Sequence, residues 1–105
     1  MKVHKGTKNV YADLGFEDAD EMLVKAQLAT KIGELIGRRH LVQSEAAKLL
    51  NISQPKLSNL LRGNFRGISE MKMLECLTKL GSEVSIVVKS RREPRTLGHL
   101  SVVFA

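Results

Sequence analysis

Apolar residues recur at three- and four-residue steps from Asp18 onward: Met22, Ala26, Ala29, Ile32 and Ile36, with Leu28 and Leu35 beside them. That is the period of an amphipathic helix, so a first helix is predicted to run from Asp18 toward Gly37, whose missing side chain weakens its end. His40 stands where the chain must leave this helix, and His is among the residues that tolerate positive φ. A short second helix is predicted over Gln43 to Leu50, with Ala46, Leu49 and Leu50 as its apolar side. Asn51 accepts the left-handed conformation that ends a helix. Ser53 is a good N-cap for a third helix, Gln54 to Arg62, and Pro55 sits in its first turn, where a missing N–H does no harm. Leu57, Leu60 and Leu61 form its buried side. Gly63 stops it, and residues 63–67 form a loop. Ser69 caps a fourth helix, Glu70 to Leu80, with Met73, Leu74, Leu77 and Leu80 inward and Gly81 as its stop.

After Gly81 the period changes from 3.6 to 2. Val84, Ile86 and Val88 alternate with Ser85, Val87 and Lys89, the pattern of a strand. A polar linker containing Pro94 follows, and Leu100, Val102 and Phe104 alternate again, a candidate second strand. Residues 1–17 show no sustained period and read as irregular. The chain divides into that segment, a helical domain over 18–81, and a C-terminal strand segment over 82–105. A lone strand leaves its N–H and C=O groups unpaired on both edges, which invites pairing with another chain. The expectation is a homodimer whose interface includes Val84, Ile86 and Val88; the alternative is an intrachain hairpin.

Length and composition narrow the function classes. The 105 residues suit one domain. Apolar runs of three or four residues exclude a membrane-spanning helix, and no apolar stretch follows the basic start, so a secretory signal is not expected. Cys76 is the one cysteine and has no disulfide partner, which fits a reducing, cytoplasmic setting. It reads as a small packing residue. His4, His40 and His99 are scattered without carboxylates or thiols at ligand spacing, so no metal is expected. No nucleophile-and-base pattern and no phosphate-cradling glycines appear, so neither catalysis nor a cofactor is expected. Met71 and Met73 read as core or gap-filling residues.

Seventeen Lys and Arg against eleven Asp and Glu give a net charge of +6, which favours nucleic acid or another anionic partner. Two segments concentrate it. Residues 42–67 hold Lys48, Lys56, Arg62 and Arg66 against Glu45 alone, and residues 89–95 hold Lys89, Arg91, Arg92 and Arg95 against Glu93. The acidic stretch from Asp13 to Glu21 is explained by carboxylates opposing the positive end of a helix dipole.

The segment Leu41 to Gly63 joins these observations. Two short helices meet at a tight turn, Asn51-Ile52-Ser53, and Ala46 and Ala47 allow close approach. The third helix is apolar on one side and carries Gln54, Pro55, Ser58, Asn59 and Arg62 on the other. Hydrogen-bonding side chains near the helix start suit base edges in a major groove, and a cation near its end suits phosphate. Arg62 also complements the dipole at the helix C-terminus, a role compatible with DNA contact.

Leu41-Val42-Gln43, Ala46-Ala47, Leu50-Asn51-Ile52-Ser53-Gln54 and Arg62-Gly63 resemble the helix-turn-helix of the XRE family of phage-type repressors. The flanks, Asn9 to Phe16, Ser53-Gln54-Pro55-Lys56 and Gly98-His99-Leu100, are similar to small HigA-like antitoxins. The resemblance implies a mainly α fold of four or five helices with a C-terminal strand or short strand pair. It implies that Gln54 reads a base edge with support from Gln43, that Ser53, Pro55, Lys56, Ser58 and Asn59 lie in or beside the groove, and that Arg62 and Arg66 bind backbone. It implies a homodimeric repressor of a palindromic operator, associated with the nucleoid, and the antitoxin of a RelE-like toxin. A stand-alone regulator and a protein-binding module whose basic helix faces an acidic partner are the alternatives. Three residues depart from the family pattern: Val42 replaces a capping Thr, Asn51 a turn Gly, and His40 a Gly. With no hydroxyl at 42, Ser44 becomes the alternative cap.

Overall fold

A computed structural model describes residues 18–90 and 97–105. Within them lie four helices: α1 (Ala19–Arg38), α2 (Gln43–Leu50), α3 (Gln54–Leu61) and α4 (Glu70–Lys79). The expected irregular segment 1–17 and the linker 91–96 fall outside the described residues. α1 packs mainly on α4 and also touches α3, while α2 packs on α3 and α4. Leu28, Ile32, Leu50, Leu57, Leu60, Met73 and Cys76, drawn from all four helices, are the large side chains sealed at the centre. Gly33 lies on the α1 face toward α3, where an added Cβ would stand 3.4 Å from Leu61 Cδ2.

All four helices end by the same device. His40 (φ 56°), Asn51 (φ 58°), Gly63 (φ 88°) and Gly81 (φ 98°) adopt the left-handed conformation directly after the last turns. At each, two backbone bonds close the end. His40 N–H donates to Gly37 O (3.0 Å) and Leu41 N–H to Ile36 O (3.2 Å). Asn51 N–H donates to Lys48 O (3.2 Å) and Ile52 N–H to Ala47 O (3.1 Å). Gly63 N–H reaches Leu60 O (3.1 Å) and Asn64 N–H reaches Asn59 O (2.8 Å). Gly81 N–H reaches Thr78 O (3.0 Å) and Ser82 N–H reaches Leu77 O (2.9 Å). This pairing is the Schellman motif, which satisfies carbonyls the helix itself leaves open.

The starts are less uniform. Ser53 Oγ accepts from Lys56 N–H (3.2 Å) and Ser69 Oγ from Lys72 N–H (3.1 Å), as their cap positions predict. At α2 the N-cap is Val42, not Ser44. Glu45 Oε1 accepts from Val42 N–H at 3.0 Å. The reciprocal bond of a capping box cannot form, because valine has no side-chain acceptor. In α1, Asp20 and Glu21 occupy the first turn and Arg38 the last, each opposing the helix dipole. Lys25 is buried along its stem and reaches Glu21 Oε2 at 3.7 Å, an aliphatic chain used as packing with its charge led outward.

Two expectations about burial are corrected, and the core gains two residues from a loop. Leu49 is 37% exposed, and Ala47 is buried in its place beside Ala46 and Leu50. At about 100° per residue, positions 46, 47 and 50 share a face that leaves 49 on its flank. Met71 is 63% exposed rather than core, because two residues before Met73 on a helix lies nearly opposite it. Phe65 and Ile68, in the loop before α4, are buried at 4% and 5%.

The C-terminal strand is corrected as well. Among the described residues no β-ladder forms, either over Val84 to Lys89 or over Leu100 to Phe104. Alternation favours an extended chain, but a ladder needs a neighbour about 4.8 Å away. The two segments are committed elsewhere. Val84, Val102 and Phe104 rest against the helical core. Leu100 N–H donates to Asp20 Oδ2 (3.4 Å), His99 Nδ1 lies 3.8 Å from the same oxygen, and Lys31 Nζ stands 5.6 Å from the centre of the Phe104 ring. From residue 20 to residue 31, α1 rises about 16 Å. Four steps of chain from Leu100 to Phe104 span at most about 14 Å. The tail therefore runs alongside α1 in the same direction. Ile86 and Val88 remain 68% and 91% exposed.

Two stability outcomes follow. Leu60→Ala leaves a void between α3 and the core and is expected to lower the unfolding free energy by about 2–5 kcal/mol in denaturant titration; a loss under about 1 kcal/mol would mean that the sealed face of α3 is wrongly placed. Val42→Thr supplies the missing half of the α2 capping box and is expected to raise stability by about 0.5–2 kcal/mol in the same assay; no gain would show that a hydroxyl at 42 does not reach the first-turn N–H groups.

Candidate nucleic-acid interface

α3 is held to the core by Leu57 and Leu60, at 0% and 1% exposure, so its opposite side is fixed toward solvent. Gln54, Pro55, Lys56 and Arg62 are exposed there, and Ser58 and Asn59 are half-buried along its edge. The turn at Asn51 sets the start of this helix beside α2. Ser44, Lys48, Asn51, Ser53 and Gln54 line one shallow open cleft at that junction. Ser53, Lys56 and Asn59 line a second with Asn64, Gly67 and Ile68 of the following loop. Ser53 borders both clefts and so joins Gln54 on one to Lys56 and Asn59 on the other, while Pro55, Ser58 and Arg62 line neither.

Not every candidate stands free on it. Ser53 spends an oxygen lone pair on its cap, leaving its hydroxyl hydrogen for an outside acceptor. Arg62 Nη2 donates to Asn59 Oδ1 at 2.7 Å, which ties the last cation of α3 to the helix surface. Arg66 Nη1 lies 3.3 Å from Asp18 Oδ2. Gln43 opens α2 and is exposed, but it lines neither cleft. Val84 rests on its own helical core, whereas Ile86 and Val88 of the proposed interface are open to solvent.

From the sequence Lys48 was named only as one cation of the basic segment and Ser44 only as an alternative cap, yet they share the junction cleft with Gln54. Their signal was available: at spacing i, i+4 they fall on one face of α2, away from Ala46 and Leu50. Asn64 was passed over as a loop residue.

The charge on this surface is one-sided. Lys48, Lys56, Arg62 and Arg66 face Glu45, which is bound to the Val42 N–H, and Asp18, which is bound to Arg66. An α-helix fits a major groove about 12 Å wide, and amide and hydroxyl groups on its leading end can pair with base edges while flanking cations meet phosphate. Among the described residues no group of His, Cys, Asp and Glu is arranged to hold a metal ion. Burial pushes the Cys76 thiol up, against a smaller opposing pull from Lys72, so it stays protonated and packs as an apolar group. No described helix is long and apolar enough to cross a membrane.

Comparison with known proteins agrees with this geometry. The family described as helix-turn-helix domain matches residues 10–89. A solved structure named as an XRE family transcriptional regulator is similar at 35% identity, with a TM-score of 0.74, over 84% of this chain and 99% of that one. No curated protein matches. The chain belongs to the XRE-type helix-turn-helix family of DNA-binding transcriptional regulators.

Proposed function

We propose that the protein is a sequence-specific repressor that binds a palindromic operator as a homodimer, with α3 of each copy in the major groove. The observation that carries this reading is the two-sidedness of α3: sealed by Leu57 and Leu60, and bearing Gln54, Lys56 and Asn59 outward. Gln54, at the helix start, is placed to bond bidentately to an adenine edge. Ser53, Pro55 and Ser58 lie beside it. Lys56 and Arg62 hold phosphate, and Gln43, at the start of α2, touches the backbone beyond. Arg66 reaches phosphate only by releasing Asp18.

One such helix covers few base pairs, and two copies must place theirs about 34 Å apart to share one face of the duplex. The segment after α4 suits that purpose. Ile86, Val87, Val88, Leu97 and Val103 are 68%, 74%, 91%, 86% and 85% exposed. Apolar exposure of this extent marks an interaction surface, and a second copy related by a two-fold axis supplies cover and strand partners at once.

The similarity of the flanks to HigA-like antitoxins supports a finer role, autoregulation of an operon that also encodes a RelE-like toxin. A basic neighbouring reading frame of that class supports this role; its absence leaves a stand-alone regulator. A protein-only module is disfavoured by the polar, short-chained surface at the start of α3.

Gln54→Ala is expected to weaken binding to the selected operator by about 1–3 kcal/mol and to leave random duplex nearly unaffected, as read by fluorescence anisotropy; equal losses on both would remove Gln54 from base reading. Arg62→Ala is expected to weaken all sequences alike and to flatten the salt slope by about one unit. For assembly, the wild type is expected to be dimeric at tens of micromolar by light scattering, and Ile86→Glu/Val88→Glu monomeric with its fold intact. A monomeric wild type refutes the interface, and a dimeric double variant moves it onto the helices.

A further inference from the structure

Asp18 occupies the N-cap position of α1, yet its side chain makes no cap hydrogen bond. Its carboxylate instead meets Arg66 Nη1 at 3.3 Å, across 48 positions of sequence. This pair links the start of α1 to the loop between α3 and α4. The loop is not loose there, because Phe65 and Ile68, on either side of Arg66, are buried in the core. The same loop, through Asn64, Gly67 and Ile68, walls the cleft that Ser53, Lys56 and Asn59 of α3 line. A carboxylate therefore stands at the rim of the DNA-facing surface, on the one loop cation expected to take phosphate. The neighbouring acids of the first turn are engaged otherwise, Asp20 with Leu100 and His99, and Glu21 with Lys25.

We propose that Asp18 is a built-in competitor of the DNA backbone for Arg66, holding the protein's affinity for DNA of any sequence below what its cations would otherwise give. The inference rests on the DNA-binding reading above. The side chains are 59% exposed at Arg66 and 37% at Asp18, so the pair is weak and exchangeable. Phosphate and carboxylate offer Arg66 the same charge-assisted hydrogen bond, so only one of them holds it well at a time. While Asp18 is ionised, Arg66 adds little to the count of neutralised phosphates. Removing that charge restores one contact, and one contact steepens the dependence of log K on log salt by about 0.9. The gain cannot exceed what the exposed pair itself holds back, so binding tightens by roughly two- to fivefold at 0.1 M salt. The device acts on affinity for the backbone, which carries no sequence information, and leaves base reading by Gln54 alone.

The test uses full-length protein and a fluorescein-labelled 30-base-pair duplex of random sequence, titrated at several salt concentrations. Four proteins are compared: wild type, Asp18→Asn, Arg66→Ala and the double variant. Asp18→Asn is expected to bind about two- to fivefold more tightly at 0.1 M salt with a steeper slope. Arg66→Ala is expected to weaken wild-type binding by less than about threefold, and to abolish the gain from Asp18→Asn. Asp18→Ser, which also keeps a helix-capping side chain, reproduces the slope of Asp18→Asn if charge is the cause. Equal gains with and without Arg66 would mean general repulsion by Asp18 and overturn the proposal. So would unchanged binding by both folded Asp18 variants while the wild type binds with a salt-dependent Kd. Absence of binding by all the proteins refutes the DNA-binding reading and the proposal together.

Discussion

The attachment of α3 is the constraint on which the rest depends. A helix of eight residues has little stability alone, so its position is set by what it buries. Leu57 and Leu60 are one turn apart and wholly enclosed, which fixes both the depth and the rotation of the helix. Once that rotation is set, every other side chain of α3 has its direction decided. Gln54, Lys56 and Asn59 are outward because those two leucines are inward. α1 and α2 pack against this helix, and the buried loop residues Phe65 and Ile68 belong to the same core. The DNA-facing surface is thus the back of the core, and its accuracy is inherited from apolar packing.

Much of the surface chemistry serves two purposes. Ser53 caps α3 and borders both clefts, Asn59 holds Arg62, and Glu45 closes the start of α2. Such double use keeps side chains ordered before any ligand arrives, so less conformational entropy remains to be lost on binding. It also means that substitutions at these positions disturb more than one property. Among the described residues the side chains of Gln54 and Lys56 make no hydrogen bond or ion pair, so substitutions there disturb the fold least.

Helix ends were legible in the sequence because their determinants are local. His40, Asn51, Gly63 and Gly81 each stop a helix within a few residues of the carbonyls they help satisfy, and Ser53 and Ser69 start helices in the same short range. The rotation of each helix was less legible. Leu49 and Met71 were placed inward on hydrophobicity, when angular position decides. Phe65 and Ile68 stand singly among polar residues and carry no period, so their burial left no pattern to follow. The strand failed for a different reason: alternation specifies an extended tendency, while pairing depends on a distant neighbour. The ion pair of Arg66 with Asp18 was hidden likewise by its separation along the chain.

The shared helix ending has a kinetic meaning. Each of the four stops is completed by bonds spanning three to five residues, so the point at which each helix ends is set locally, whatever it later packs against. Proteins whose contacts are local in this way have low contact order and fold fast, because little loop-closure entropy is lost before stabilising contacts appear. The packing of α1 on α4, which are far apart in sequence, is the non-local part of the fold and the one for which a long loop must close.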